Sequence, residues 1–276
     1  MTFQLLASGY GLVEGPTAAL DGSLFFSDVL FGGVYRLDPL GEIETVVPKR
    51  RGVGGLALHA DGGLVMSGRD IVHVRDGVTR TVCSVHGVAG WNDLCTDSTG
   101  RVYAGSLRFA VFDPGAEAVP GELWRTELTG EATELYGDVI HANGVAVSPD
   151  DSTVYHSDTR ANAVIVHDLD NGRATNRRTI DTTHYGQPDG MAIDETGALW
   201  VALLGGFGVG RFTPDGRLDR RIEVPATVVT SVCFGGDDGR DLYVTTADNT
   251  EEPERRGSIL RTRVPVAGAP VHPARV

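Results

Sequence analysis

Cysteine, cationic side chains and long apolar runs are all scarce in this 276-residue chain. Cysteine occurs only at Cys83, Cys95 and Cys233, without metal-type spacing. An odd, low count fits a reducing compartment, and a cytoplasmic protein is expected. Cys95 and Cys233 fall in apolar strands, where a small buried hydrophobe is the ordinary reading. Lys and Arg total 24 against 37 acids, a formal charge of −13. A nucleic-acid surface needs a basic patch, so that partner is excluded. No apolar run approaches the roughly 20 residues that span a bilayer. The opening MTFQLLASGYGLVEG has no basic start and no long apolar core, so no signal peptide is expected. The chain lacks G-x-S-x-G, and no cysteine is flanked by a suitable histidine, so no serine or cysteine nucleophile stands out. Helical periodicity is nearly missing as well.

What the chain does have is a repeat. The segments EGPTAALDG, GGLALHADG, NDLCTDSTG, NGVAVSPDD, DGMAIDETG and SVCFGGDDG share one layout. Each ends on a turn residue (Gly22, Gly62, Gly100, Asp151, Gly197, Gly239) and is followed by a short apolar strand such as SLFFSD or ALWVAL. The turn residues lie 40, 38, 51, 46 and 42 apart. Such periods, with four short strands per unit, predict an all-β, six-bladed β-propeller occupying residues 1–276 as one domain. Only five fourth strands occur in order; the sixth unit stops after its third. The leftover N-terminal TFQLLAS is expected to complete the last blade and close the ring, removing the open edges.

Eight residues before each turn stands Glu14, Gly54, Asn92, Asn143, Asp189 or Ser231. In a propeller these positions begin the innermost strands and ring one mouth of the central channel. A structural ring would be small or apolar, as Gly54 and Ser231 are. Glu14, Asn92, Asn143 and Asp189 are not, and burying such groups is costly unless something pairs with them. No Lys or Arg shares the ring, so a cation is the expected partner; the alternative is satisfaction by blade backbone and water. Oxygen donors without His or Cys suit hard ions: calcium first, with zinc, manganese or magnesium as alternatives. Glycine after Asn143 and Asp189 allows a tight entry into the inner strand. Asp93 after Asn92 cannot serve that purpose; it either bonds locally or adds to the negative field.

The stretches EGPTAALDGSLFFSD, WNDLCTDSTGRVYAGS, NGVAVSPDDSTVYHSD, NRRTIDTTHYGQPDGMAIDETGALWVA and TSVCFGGDDGRDLYVTTA resemble the senescence marker protein / gluconolactonase family, which includes regucalcin and bacterial sugar lactonases. The run QPDGMAID…G.LWVA with CFGG…LYVT is specific to it. The resemblance implies one divalent cation at the channel mouth, with ligands mapping onto Glu14, Asn143 and Asp189. It implies that Asn92 contacts the substrate or the water on the metal, and that Asp189 is general base or acid. Sugar-lactone relatives often carry Arg two residues before the Asn; here that residue is Gly90. The pocket is therefore expected either to take a less polar lactone, with Trp91 beside it, or to use Arg108 in its place. Packing between blades is the alternative for Trp91, and a solvated loop charge for Arg108.

The expected chemistry is metal-dependent opening of a lactone or similar cyclic ester. Asp189 would act as a shared ligand and proton shuttle, because a carboxylate beside a cation is a weak base by itself. His141 and His184, on loops at the same mouth, are candidates to assist. The loop Ser106–Gly121 explains the 51-residue spacing and reads as a lid over a small-molecule pocket. Alternatives are a propeller enzyme resembling strictosidine synthase, and a calcium- or protein-binding propeller without catalysis.

Overall fold

The computed structural model describes residues 1–276. Strand β1 (Gln4–Tyr10) is followed by five consecutive four-stranded meanders. Blade 1 holds β2 (Val13–Ala18), β3 (Leu24–Asp28), β4 (Gly33–Leu37) and β5 (Ile43–Pro48). Blade 2 holds β6 (Leu56–Leu58), β7 (Leu64–Met66), β8 (Ile71–Arg75) and β9 (Val78–Cys83). Blade 3 holds β10 (Gly90–Thr96), β11 (Val102–Leu107), β12 (Gly121–Thr126) and β13 (Ala132–Val139). Blade 4 holds β14 (Ala142–Val147), β15 (Thr153–Asp158), β16 (Ala163–Asp170) and β17 (Arg173–Asp181). Blade 5 holds β18 (Gln187–Ile193), β19 (Leu199–Leu204), β20 (Gly208–Phe212) and β21 (Leu218–Glu223). Blade 6 has β22 (Val229–Gly235), β23 (Asp241–Thr246) and β24 (Gly257–Arg263), and β1 completes it in the order β1-β24-β23-β22. The ring is thus closed by the first strand, as the count of fourth strands predicts. The only helical element is a 3-10 turn at Pro253–Arg255, and no helix is long and apolar enough to cross a membrane.

Burial follows from the alternation of side chains along each strand. One face of each blade packs on the facing side of the next, so every blade junction carries its own apolar cluster. Val34 and Leu56 meet between blades 1 and 2, Val65 and Trp91 between 2 and 3, Tyr103 and Val145 between 3 and 4. Tyr155 and Leu199 meet between blades 4 and 5, Trp200 and Val232 between 5 and 6, Tyr243 and Phe26 between 6 and 1. Fourth strands are the outermost and read accordingly: β5 is almost wholly exposed.

After β24 the chain leaves blade 6 and crosses the floor of the channel. Gly268 N donates to Gly239 O and Ala269 N to Ile193 O, each at 2.9 Å. Thr96 Oγ1 donates to His272 O at 2.5 Å, Arg275 N to Gly100 O at 2.9 Å, and Ala274 N to Leu58 O at 2.7 Å. These anchors lie at the first-to-second-strand ends of blades 6, 5, 3 and 2. The strap therefore spans the floor from one side of the ring to the other. Above it lies a largely apolar cavity of about 160 Å³, which begins at the level of Gly15, Asp93 and Ser231 and reaches down to Pro270 and Val271.

Candidate metal centre and substrate mouth

The six inner strands touch in a closed circle, and their starting ends carry the ring residues. In five blades those residues sit at a register shift between the first and second strands: Glu14/Thr17, Trp91/Leu94, Ala142/Val145, Pro188/Met191 and Val229/Ser231. A bulge breaks strict alternation and re-aims the residue it contains. This is how Glu14, Asn92, Asn143 and Asp189 come to occupy one level of the channel.

Close approach between inner strands explains the small residues around them. A Cβ on Gly54 would lie 2.3 Å from Asn92 Oδ1, so blade 2 makes room for the blade 3 amide. On Gly144 it would lie 2.3 Å from Asp189 O, and on Gly190 it would lie 2.0 Å from Ser231 Oγ. Neither Gly144 nor Gly190 has positive φ. Their glycine is required by the neighbouring blade, not by a tight turn. Asp93 takes the equivalent place in blade 3 and bonds locally, its Oδ1 accepting from Leu94 N at 2.8 Å. Its carboxyl also lines the lower cavity.

Glu14 is 6%, Asn143 7% and Asp189 3% exposed, and Asn92 is half-buried. Asn92 Nδ2 donates to Asn143 Oδ1 at 3.1 Å and to Ala142 O at 2.9 Å. Asn143 Nδ2 donates to Thr159 Oγ1 at 3.2 Å, and that hydroxyl donates to Pro188 O at 2.8 Å. Ser157 Oγ holds Asp189 O at 2.8 Å, and Ser27 Oγ holds Val53 O at 2.5 Å and Glu14 O at 3.3 Å. Hydroxyls on or just after the second strand thus tie blade 1 to blade 2 and blade 4 to blade 5 beside the ring. Thr159, Ser157 and Ser27 escape a reading of the first strands, although the repeated SD at Ser27-Asp28 and Ser157-Asp158 is a visible signal. The aspartates of those pairs fix the loops above: Asp158 accepts from Ile140 N at 2.8 Å and His141 N at 3.1 Å, and Asp28 from Gly11 N at 2.9 Å and Phe31 N at 2.9 Å.

The electrostatics of the ring are those of an uncompensated acid pair. Burial, then the charges of Asp189 and Asp93, push the Glu14 carboxyl well above the usual range. Burial, then Asp93, does the same to Asp189. Burial pushes Asp93 up to about 7. Asp189 Oδ1 is buried and has no hydrogen-bond partner. Neither Glu14 nor Asp189 forms an ion pair with any Lys, Arg or His. A buried oxygen with no donor, beside a second buried carboxylate, fits a bound cation. No group of three His, Cys, Asp or Glu is gathered as a ligand set in the chain.

Trp91 and Arg108 are placed differently. Trp91 is 1% exposed, and its ring packs edge-on to Trp124 at 6.4 Å within the blade 2–3 core. Arg108 is engaged by Glu122, with Nε 3.0 Å from both carboxylate oxygens and Nη2 2.8 Å from Oε1; its Nη1 donates to His86 O at 3.3 Å. The structure thus gathers Glu14, Asn92, Asn143 and Asp189 but does not turn Trp91 or Arg108 toward them. The long loop spans 108–120 between β11 and β12. Its Phe109 is buried, edge-on to His141 at 6.5 Å and under the Arg160 guanidinium at 4.8 Å. Burial, then the Arg160 charge, lowers the His141 pKa, so its ring is neutral at pH 7. His184 is exposed on the β17–β18 loop.

Residues 12–248 match the SMP-30/Gluconolactonase/LRE-like region. The chain belongs to this family. Among SMP-30/gluconolactonase relatives, 6-deoxy-6-sulfogluconolactonase of Pseudomonas putida is 32% identical, over 89% of this chain and 88% of its own. Pentonolactonase XacC of Haloferax volcanii is 31% identical, over 86% and 81%. In structure, the calcium-binding protein regucalcin of Agrobacterium tumefaciens superposes with a TM-score of 0.85 at 23% identity, covering 100% of this chain and 97% of that one. At that identity regucalcin shows the fold alone.

Proposed function

We propose that this propeller hydrolyses a lactone and works with one divalent cation held by Glu14, Asn143 and Asp189. The observation that carries the reading is the partnerless, buried Asp189 Oδ1 beside Glu14, in a ring without any cationic side chain. Two relatives that cover most of the chain are named for the opening of sugar lactones, which supports the reaction class. Calcium is the first candidate, on the hard-oxygen donor set and by analogy of fold with regucalcin; zinc, manganese and magnesium suit the same donors less selectively.

Opening a lactone requires water to add to the acyl carbon and the ring oxygen to leave with a proton. When bound, the cation polarises the carbonyl and raises the acidity of a neighbouring water. Asp189 takes the proton of the attacking water and returns it to the departing ring oxygen. Asn92 positions the substrate: its amide nitrogen is tied to Asn143 and Ala142, so its oxygen has a fixed direction from which to accept a substrate hydroxyl. Covalent catalysis by cysteine is disfavoured. Burial pushes Cys233 up to about 12 and raises Cys83 and Cys95, so all three are protonated thiols at pH 7. Trp91 packs in the blade 2–3 core and Arg108 is held by Glu122, so neither is assigned a substrate contact. Gly90 removes one site of hydroxyl recognition, which favours a lactone with fewer hydroxyls near its ring.

The test is proton release from a panel of aldonolactones and aliphatic lactones, with and without chelator, beside elemental analysis of the purified protein. Chelator-sensitive opening of at least one lactone is expected. Chelator-insensitive turnover would remove the cation from the reading; a metal-loaded protein inert toward the whole panel would leave a binding propeller.

A further inference from the structure

We propose that Arg160 is a specificity-determining residue that binds an anionic group carried by the substrate away from its lactone carbonyl. The inference rests on the lactonase reading and adds the substrate's charge to it. Arg160 lies in the turn between β15 and β16, directly after Thr159. The Thr159 hydroxyl touches both the Asn143 amide and the carbonyl of Pro188, the residue before Asp189. The turn is rigid, because Asp158 accepts from Ala161 N at 3.3 Å as well as from Ile140 and His141. The Arg160 backbone is therefore fixed at the mouth, one residue from the Thr159 hydroxyl that touches Asn143.

Its side chain is exposed and makes no ion pair and no hydrogen bond. Arg108, the other arginine packed against the long loop, is fully engaged by Glu122. The Arg160 guanidinium instead lies over the ring of Phe109, 4.8 Å from its centroid, and Phe109 is itself buried against His141. An aromatic ring under a guanidinium limits its motion and leaves its N–H edges free. Such a fork matches an oxyanion in two-pronged fashion. The neighbouring Asp158 carboxylate is occupied by backbone donors. The pocket floor is acidic, with Glu14, Asp93 and Asp189, so a free cation at the rim is the element that makes an anionic substrate acceptable there. Carboxylate, sulfonate and phosphate share the chemistry.

The experiment compares a neutral hexonolactone with the same lactone bearing a carboxylate, a sulfonate or a phosphate at its terminal carbon. The readout is the ratio of kcat/KM, anionic over neutral, for the metal-loaded wild type, Arg160→Gln and Arg160→Lys. The wild type is expected to favour at least one anionic lactone. In Arg160→Gln that ratio should fall about 10- to 100-fold, through KM, as loss of a hydrogen bond to a charged group implies. Arg160→Lys should retain part of it, and the wild-type ratio should shrink with added salt. Calorimetric binding of the ring-opened acids is measured in parallel, so the proposal is decided even if no lactone is turned over. Tighter binding of the doubly charged acid, erased in Arg160→Gln, would support it while the lactonase reading failed. A wild-type ratio and affinity indifferent to the added charge would overturn it with that reading intact. So would a loss in Arg160→Gln that is equal for neutral and anionic lactones, since that marks a purely structural role on Phe109.

Discussion

Thr159 stands behind Asn143: its hydroxyl accepts from Asn143 Nδ2 at 3.2 Å and donates to Pro188 O at 2.8 Å. The contact fixes which atom of the amide faces the channel. With the nitrogen turned to Thr159, the oxygen faces Asn92 Nδ2, 3.1 Å away. Thr159→Val would leave a buried carbonyl and a buried amide without partners. A loss of about 1–3 kcal/mol in urea unfolding is expected. Cation affinity should drop about 10- to 100-fold by calorimetry, as for other groups that orient a ligand. Thr159→Ser should restore most of both. An unchanged affinity in the valine variant would place Asn143 outside the ligand set.

Asp189 and Asn92 should separate by mutation. Asp189→Asn removes a charge from the proposed site and the proton acceptor from the reaction, so both turnover and the response to chelator should vanish. Asn92→Ala should keep the chelator response and lose on the order of 10²-fold in kcat/KM, the usual effect of deleting one oriented hydrogen bond at a reacting centre. Steady-state kinetics with a parallel metal titration distinguish the two. Full activity in Asn92→Ala would make that residue structural.

Two buried carboxylates without a counter-charge weaken the fold until a cation offsets them. Binding to the native ring alone adds about 2.7 kcal/mol at a free ion concentration of about 100 times Kd. Thermal unfolding of stripped and reloaded protein is therefore expected to differ by several degrees, with the loaded form higher. Identical Tm values after verified exchange would exclude a tight site.

His156 predicts how stability changes with pH. It is fully buried between blades 3 and 4, and burial, then the Arg177 and His167 charges, lowers its pKa to about 3. The unfolded chain takes up its proton near pH 6.5, an ordinary histidine value. Between those limits the unfolded state binds more protons, so stability is full above about pH 6.5 and falls as pH drops toward about 3. The slope from this one group is up to about 1.4 kcal/mol per pH unit. His156→Gln should flatten the curve of unfolding free energy between pH 4 and 6. A slope unchanged by that substitution would assign acid sensitivity elsewhere.

Trp91 behaves as core in this geometry. Its indole Nε1 is buried without an acceptor, so Trp91→Phe removes no hydrogen bond. That variant should keep kcat/KM within about twofold, whereas Trp91→Ala should cost about 3–5 kcal/mol of stability. A phenylalanine variant that is stable but slow would return Trp91 to the substrate.

The closed six-bladed ring was legible in the chain because a repeat is a statement about equivalent positions. Glu14, Asn92, Asn143 and Asp189 recur at one offset from a turn, so they share one level whatever their contacts. Counting fourth strands likewise assigned β1 to the last blade. Side-chain direction was not legible for Trp91, because a bulge at Trp91/Leu94 breaks the two-residue alternation that would otherwise place neighbours on opposite faces. Arg108 looked available because its partner Glu122 lies 14 positions on, across the long loop. Gly144 and Gly190 were visible as glycines, but their reason is a neighbouring strand 45 and 41 positions away, at Asp189 and Ser231 respectively. The floor strap has no periodicity to mark it; its bonds are to turns of other blades. Sequence alone determined which residues are equivalent, since local pattern and spacing carry that information. Tertiary structure alone decided which of them are left without partners, because a hydrogen bond or ion pair across blades depends on distance in space and on no spacing along the chain.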